Sequence, residues 1–307
     1  MRQETRAGIE ESGVHEMGLG ASAYTVFLCT LFGANAVAIK ISLAGLGVFT
    51  TAGIRFSVAA VVILFWALGT GKPVALSRRQ FRQMLLLGLI FFVQLSLFYL
   101  GLSETTASHG TLITNILPFV VLILAHFFVK EEHFSIKKLT GLILGFTGIV
   151  MLFGDTVHLD ESVIHGDSIV LCAVLIWGGN AIYTKRIIKD FHPVQITLYP
   201  LAIASPLFLI SALFYDHEMV RFIDTSIILA LAYQTFVTAS FGLIGWMMLI
   251  KEYGATQLHS FVFIMPLSGV FLGIVLLGEP VTVNLIGSIV LVTIGLLVAN
   301  KPEGKVI

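Results

Sequence analysis

Long apolar runs separated by short polar stretches dominate the 307-residue chain. A helix needs about 20 residues to cross a hydrocarbon core of ~30 Å. Ten segments read as such helices, at 19–40, 48–69, 82–102, 106–129, 137–154, 167–186, 194–215, 225–249, 254–277 and 281–300. The runs are continuous rather than alternating, which excludes the strands of a membrane β-barrel. The pattern predicts an all-α, polytopic membrane protein with ten transmembrane helices. Basic residues set its orientation. With residues 1–18 in the cytoplasm, fifteen Lys and Arg fall in the inner segments. Only Lys40 and Arg221 fall in the outer loops, and Arg55 lies within the second span. The expectation is a multi-pass plasma-membrane protein with both termini cytoplasmic.

Composition agrees with this. Hydrophobic residues make up 57% and charged residues 12%, against roughly 25% charged in a soluble domain. Mean hydropathy is +0.96. Eighteen basic and eighteen acidic residues cancel, so nothing suggests nucleic acid as a partner. Cys29 and Cys172 sit in apolar runs and lack metal-site spacing. The sequence holds no phosphate-cradling Gly-Lys-Ser/Thr loop and no HExxH, so neither a cofactor nor a metal is expected.

The chain also repeats itself. Phe32-Gly33-Ala34-Asn35-Ala36-Val37-Ala38-Ile39-Lys40 matches Trp177-Gly178-Gly179-Asn180-Ala181-Ile182-Tyr183-Thr184-Lys185 at an offset of 145. Glu104, Ala107, Pro118 and Glu131 match Glu252, Ala255, Pro266 and Glu279 at an offset of 148. The expected organisation is a tail (1–18), a five-helix repeat (19–154), an external linker (155–166), a second five-helix repeat (167–300) and a second tail (301–307). Because five is odd, the copies enter the bilayer from opposite sides. Inverted repeats suit alternating access around one midplane site, and so point to transport.

These features resemble the EamA-type branch of the drug/metabolite transporter superfamily, over about residues 19–300. The likeness rests on a Gly-x-Asn-x-x-x-x-Lys segment in the first helix of each half: Gly33, Asn35 and Lys40, then Gly178, Asn180 and Lys185. It rests also on a Pro in the fourth helix followed by a loop Glu: Pro118 with Glu131, then Pro266 with Glu279. Arg55-Phe56 is similar to the family's pattern as well, but Pro200 stands at the matching place in the second half. The resemblance implies a ten-helix bundle around a central cavity, cytoplasmic termini and movement of small metabolites, often amino-acid export.

A polar side chain in hydrocarbon needs a partner or a wet cavity, so each is a candidate for substrate binding. Asn35 and Asn180 either face a cavity or bond a neighbouring helix across the close approach their preceding glycines permit. Gln94 and Gln234 offer donor and acceptor together near mid-membrane, which suits a zwitterion. Thr238 shares the helical stripe of Gln234. Thr111, Thr114 and Asn115 lie beside Pro118. Pro118 and Pro266 each free a carbonyl one turn back, giving either a kinked helix that lines or gates a cavity or a static bend. Arg55 can hold a carboxylate at two points or snorkel to the headgroups. Trp177, Tyr99 and His259 complete the candidate binding set. His109 and His259 can change charge between about pH 5 and 8, so either carries protons or serves as an interfacial hydrogen bonder. Gly141 with Gly145, and Gly269 with Gly273, form small faces for helix packing.

Asp and Glu are expected only at helix ends and in loops, so no carboxylate relay is visible. The lack of a mid-membrane Lys argues against phosphorylated substrates. The reading is therefore not an enzyme but a secondary transporter, moving small neutral or zwitterionic metabolites such as amino acids outward. Its partners are the small-molecule substrate, the lipid bilayer and, through His109 or His259, protons. An importer or broad drug exporter of the same fold is the alternative within transport. An intramembrane enzyme and a passive channel are the alternatives outside it.

Overall fold

The computed structural model of the chain describes residues 17–105, 107–129, 135–153, 161–277 and 283–300. Its helices are α1 (Leu19–Gly45), α2 (Val48–Gly69), α3 (Arg78–Ser103), α4 (Ala107–Thr114), α5 (Leu117–Phe128), α6 (Ile136–Phe153) and α7 (Glu161–Ile187). They continue as α8 (Pro193–Tyr215), α9 (Thr225–Ala232), α10 (Leu243–Tyr253), α11 (Ala255–Ser260), α12 (Ile264–Leu277) and α13 (Val283–Ala299). A 3-10 turn, Ile188–Asp190, extends α7. A π-helix, Tyr233–Gly242, joins α9 to α10, and a 3-10 turn, Phe261–Phe263, joins α11 to α12. Among the described residues the only strand-like pairing is an isolated bridge between Leu46 and Val220.

Seven stretches of the described chain are long and apolar enough to cross a membrane: Leu19–Gly45, Val48–Gly69, Arg78–Leu102, His109–Phe128, Ile164–Asp190, Pro193–Tyr215 and Thr225–Tyr253. The expected spans at 137–154, 254–277 and 281–300 are not among them. Their helices are shorter or interrupted. Helix α6 spends its first turn on Lys137 and Lys138, the 3-10 turn divides α11 from α12, and α13 has 17 residues. Glu131, Glu279, residues 1–16 and 301–307, and the first half of the expected linker (155–160) lie outside the described residues.

Helix starts are marked by side chains that satisfy the orphan amides. Ser77 and Gln80 form a capping box before α3, and His192 and Gln195 form one before α8. His192 accepts from the Val194 amide through Nδ1. Burial, then the Lys72 and Lys251 charges, push its pKa below the usual value, which keeps it a neutral acceptor. Helix α2 begins after Gly47 with no side-chain cap of its own. Asp216, just past α8, supplies one. Its carboxylate accepts from the Phe49 and Thr50 amides at 3.3 and 2.7 Å and from Thr50 Oγ1 at 2.7 Å. An anion on a helix N-terminus also favours the dipole. Asp216→Ala is expected to destabilise the chain by about 1–2 kcal/mol, read as a lower Tm in detergent with Asp216→Asn intermediate.

Packing directions follow from named contacts. Helix α2 runs antiparallel to α8, since Thr50 meets Asp216 while Tyr199 donates to the Val74 carbonyl just beyond α2. Phe56 packs on Phe208 between these ends. Helix α6 runs antiparallel to α13, with Gly141 against Gly295 and Gly148 against Ser288. Helix α3 runs antiparallel to α7, from Gln80 at Asp190 to Gly101 at Val170. Helix α1 runs antiparallel to the stretch from the π-helix to α10, from Ser42 at Gln234 to Tyr24 at Gly245. Apolar clusters fill the spaces, one around Phe49, Phe56, Ile63, Leu201 and Phe208 and another around Leu117, Val121, Val170 and Val174.

Candidate functional site

Gln234, in the first turn of the π-helix, is fully buried. Its Nε2 donates to Ser42 Oγ at 2.7 Å, to the Ala38 carbonyl at 3.1 Å and to the Ala230 carbonyl at 3.2 Å. Its Oε1 accepts from an Arg55 terminal nitrogen at 3.2 Å. Arg55 is 8% exposed, and its guanidinium lies 4.2 Å from the centre of the Phe56 ring. It is therefore drawn inward to Gln234 rather than snorkelling. Its Nε has no hydrogen-bond partner, and no carboxylate among the described residues pairs with it. The π-helix shapes this region. Its wider turns carry Gln234, Thr235, Thr238 and Ser240, all buried. Ser240 bonds back five residues to the Thr235 carbonyl, following the π spacing.

The two repeated asparagines each bond across the bundle. Asn35 Oδ1 accepts from Thr238 at 2.9 Å, and Asn180 Nδ2 donates to Gln94 Oε1 at 2.6 Å. Gln94 and Asn180 are both buried. The glycines two residues earlier make the approach possible. A Cβ on Gly33 would lie 2.3 Å from the Met265 carbonyl oxygen, and one on Gly178 would lie 2.4 Å from Val120. Each glycine thus seats its helix against the segment around a proline, Pro266 in one case and Pro118 in the other.

Both proline segments are interrupted. Asn115 and Ile116 form a turn between α4 and α5, just before Pro118. The 3-10 turn Phe261–Phe263 stands at the matching place before Pro266. Asn115 is 3% exposed; its Nδ2 bonds the Thr111 carbonyl at 2.8 Å while Oδ1 has no partner. Thr114 bonds the Gly110 carbonyl, and Thr111 is half-buried one turn from Asn115. His259 is buried, with Nδ1 on the Ala255 carbonyl and its ring edge-on to Trp246. Tyr99 and Trp177 are half-buried and both contact Phe98. The structure thus joins Arg55, Gln234, Thr238 and Asn35 in one network through Ser42 and α1. It joins Gln94 to Asn180 separately. It does not bond His259, Trp177 or Tyr99 to either group.

Three residues carry weight that sequence reading did not give them. Lys185, counted as a flanking charge, is 5% exposed and donates to the Ile250 carbonyl near the end of α10 at 3.0 Å. A cation on a helix C-terminus is favoured by the dipole. Asp167, expected at the first position of a span, lies well inside α7 and meets His109 at 2.7 Å. It is the fourth residue of the apolar stretch Ile164–Asp190, and so stays near a span end as expected. Ser42 lies beyond the expected end of the first span because α1 runs on to Gly45. An apolar cleft of about 350 Å³ opens on the flank of the bundle between Tyr24, Ile63, Trp66, Phe241, Gly245 and Met248. None of the candidate residues lines it. Among the described residues no three His, Cys, Asp or Glu side chains gather as a metal site.

The model of the EamA-like transporter family matches the chain twice, over residues 20–154 and 164–301. The chain belongs to the EamA-like transporter family. It is similar to the protein named "Uncharacterized transporter YyaM" of Bacillus subtilis (strain 168), 26% identical over 82% of this chain and 84% of that protein. It is also similar to an "Uncharacterized transporter" of Archaeoglobus fulgidus, 25% identical over 89% of this chain and 95% of that one. A solved crystal structure superposes with a TM-score of 0.81 at 16% identity, covering 92% of this chain and 98% of its own. At that identity the likeness shows a shared fold. With its apolar helices, EamA membership makes the chain a multi-pass membrane protein with a transporter role.

Proposed function

We propose that this EamA-like transporter is a secondary exporter of small zwitterionic metabolites, amino acids or close relatives, working by alternating access of two inverted five-helix halves. The halves are residues 19–154 and 167–300, with α4 and α5 forming one span and α11 and α12 another. The antiparallel course of α2 against α8, and of α6 against α13, supports inversion, because each pair joins equivalent helices of the two copies. The excess of Lys and Arg at one set of loops supports cytoplasmic termini in a plasma membrane.

The observation that carries the substrate class is Arg55, a buried guanidinium with an unpartnered Nε and no paired carboxylate among the described residues. A charge so placed favours an anion, and a fork of N–H groups suits a carboxylate. Gln234, Thr238 and Asn35 bring amide and hydroxyl groups to the same network. Gln94, Asn180, Asn115, Thr111, Thr114, Tyr99 and Trp177 belong to the wider set around the path, and His259 stands at its α11 end. In this mechanism the interrupted helices before Pro118 and Pro266 are the moving parts, since a broken ladder bends at less expense than an intact one.

Counterflow in proteoliposomes tests this. Vesicles loaded with an unlabelled amino-acid mixture are given labelled amino acids, amines lacking the carboxylate, or carboxylates lacking the amine. Faster exchange of amino acids than of either fragment is expected. Equal exchange of the amines would remove the zwitterion reading. Product formation without movement would favour an enzyme, and unitary currents would favour a channel.

A further inference from the structure

His109, in the first turns of α4, is 5% exposed, and its Nδ1 lies 2.7 Å from Asp167 Oδ2 on α7. The other oxygen of Asp167 accepts from Thr105, on the connection that follows α3. One carboxylate therefore ties α7 to two successive elements. Glu104 and His165 pair with each other beside it, and α6 brings no titratable side chain after Lys138. The repeat does not copy the arrangement. At the offsets of 145 and 148, Asp167 matches Ser22 and His109 matches Gln257. Only one end of the bundle is built this way, and the positive-inside orientation makes it the outer end.

We propose that His109 and Asp167 form a proton-binding site that sets how tightly α4 closes on α7, and so couples substrate export to inward movement of protons. The coupling rests on the exporter reading above; the closure does not. A proton on the imidazole turns its hydrogen bond to the Asp167 carboxylate into an ion pair, in which both partners are charged and the hold on α7 is tighter. Closure at this end is then tightest with the proton bound and looser once it leaves. Protons arriving from the outer side close the outer end and leave the opposite end free to open and load substrate. An exporter driven by the proton gradient needs that order of events.

The test uses the full chain in lipid nanodiscs, with Cys29→Ala and Cys172→Ala and a reporter, Ile113→Cys. Ile113 is partly buried against the apolar residues of α5 and α7, so N-ethylmaleimide reaches it faster when α4 parts from α7. Labelling of the reporter thiol, divided at each pH by its rate in the same chain unfolded in SDS, which removes the thiolate's own pH dependence, is expected to be about fivefold slower near pH 6 than near pH 8. Asp167→Asn and His109→Gln should each bring that ratio to about one, in protein that still elutes as a single species. A wild-type ratio of one, or an unchanged ratio in both variants, overturns the proposal. In proteoliposomes the same variants should keep amino-acid counterflow, which needs no net proton movement, but lose accumulation driven by an imposed pH gradient. Loss of counterflow by the wild-type chain for every compound would count against the exporter reading alone. Undiminished gradient-driven accumulation in both variants would count against the proton site alone.

Discussion

Arg55→Leu is expected to abolish amino-acid counterflow while changing the stability of the fold little. The two effects separate because the guanidinium is buried without a counter-ion. Among the described residues its one side-chain hydrogen bond is to Gln234, its Nε is unpartnered, and the Phe56 ring helps screen it. Replacing a poorly compensated buried charge with an apolar side chain is often neutral or stabilising, by about 1–4 kcal/mol. Gln234 Nε2 keeps Ser42 and the Ala38 and Ala230 carbonyls as partners in such a variant, but Oε1 loses its donor, which offsets about 1–3 kcal/mol of that gain. A carboxylate held at two points, in contrast, loses two charge-assisted bonds of roughly 1.5–3 kcal/mol each. Exchange should fall by at least about 100-fold, since 1.4 kcal/mol is a factor of ten. Arg55→Lys should recover part of it, because an ammonium supplies the charge without the fork. Labelled counterflow and Tm in detergent measure the two effects. A large drop in Tm would make Arg55 a structural cation. Wild-type counterflow with a wild-type half-saturation would remove it from the binding site.

The helical, membrane-spanning character was legible because hydrocarbon imposes it on every residue of a span. The Gly-Asn segments were also legible, as spaced repeats. What escaped depended on partners that no periodicity names. Asn35 and Asn180 were open between cavity and neighbour until Thr238 and Gln94 stood opposite them. Helix ends escaped for a related reason. Residues 161–166 read as the end of a linker, yet α7 starts at Glu161. Asp167 thus lies within α7, one turn into the apolar stretch that starts at Ile164. Ser42 was lost in the same way when the first span was closed at Lys40. The π-helix left no compositional mark, because Tyr233–Gly242 holds residues that an ordinary helix accepts. Lys185 looked like a flanking charge, and only the course of α7 past α10 shows it capping the Ile250 carbonyl.

Among the glycines of the repeated segments, Gly33→Ala is expected to be the most damaging, Gly178→Ala milder and Gly179→Ala harmless. All three sit inside helices, so helix propensity alone would make each change favourable by about 1 kcal/mol. The neighbours decide otherwise. A methyl on Gly33 meets the Met265 carbonyl oxygen at 2.3 Å and Ser268 Cβ at 2.9 Å. The carbonyl is fixed in the backbone of α12 beside Pro266, so relief requires α1 and α12 to part. Overpacking of this kind costs about 1–3 kcal/mol. Parting them also disturbs Asn35 and its bond from Thr238, so counterflow should fall together with Tm. A methyl on Gly178 meets the Val120 side chain at 2.4 Å. Valine is stiff about χ1 but can turn, which limits the penalty. Nothing lies within 4 Å of a methyl on Gly179. Thermal unfolding of the three variants in one detergent should therefore rank Gly179→Ala at or above wild type, then Gly178→Ala, then Gly33→Ala. If Gly33→Ala unfolds no earlier than Gly178→Ala, α1 and α12 do not touch backbone to backbone. The seat that presents Asn35 to Thr238 would then have to be found elsewhere on α1.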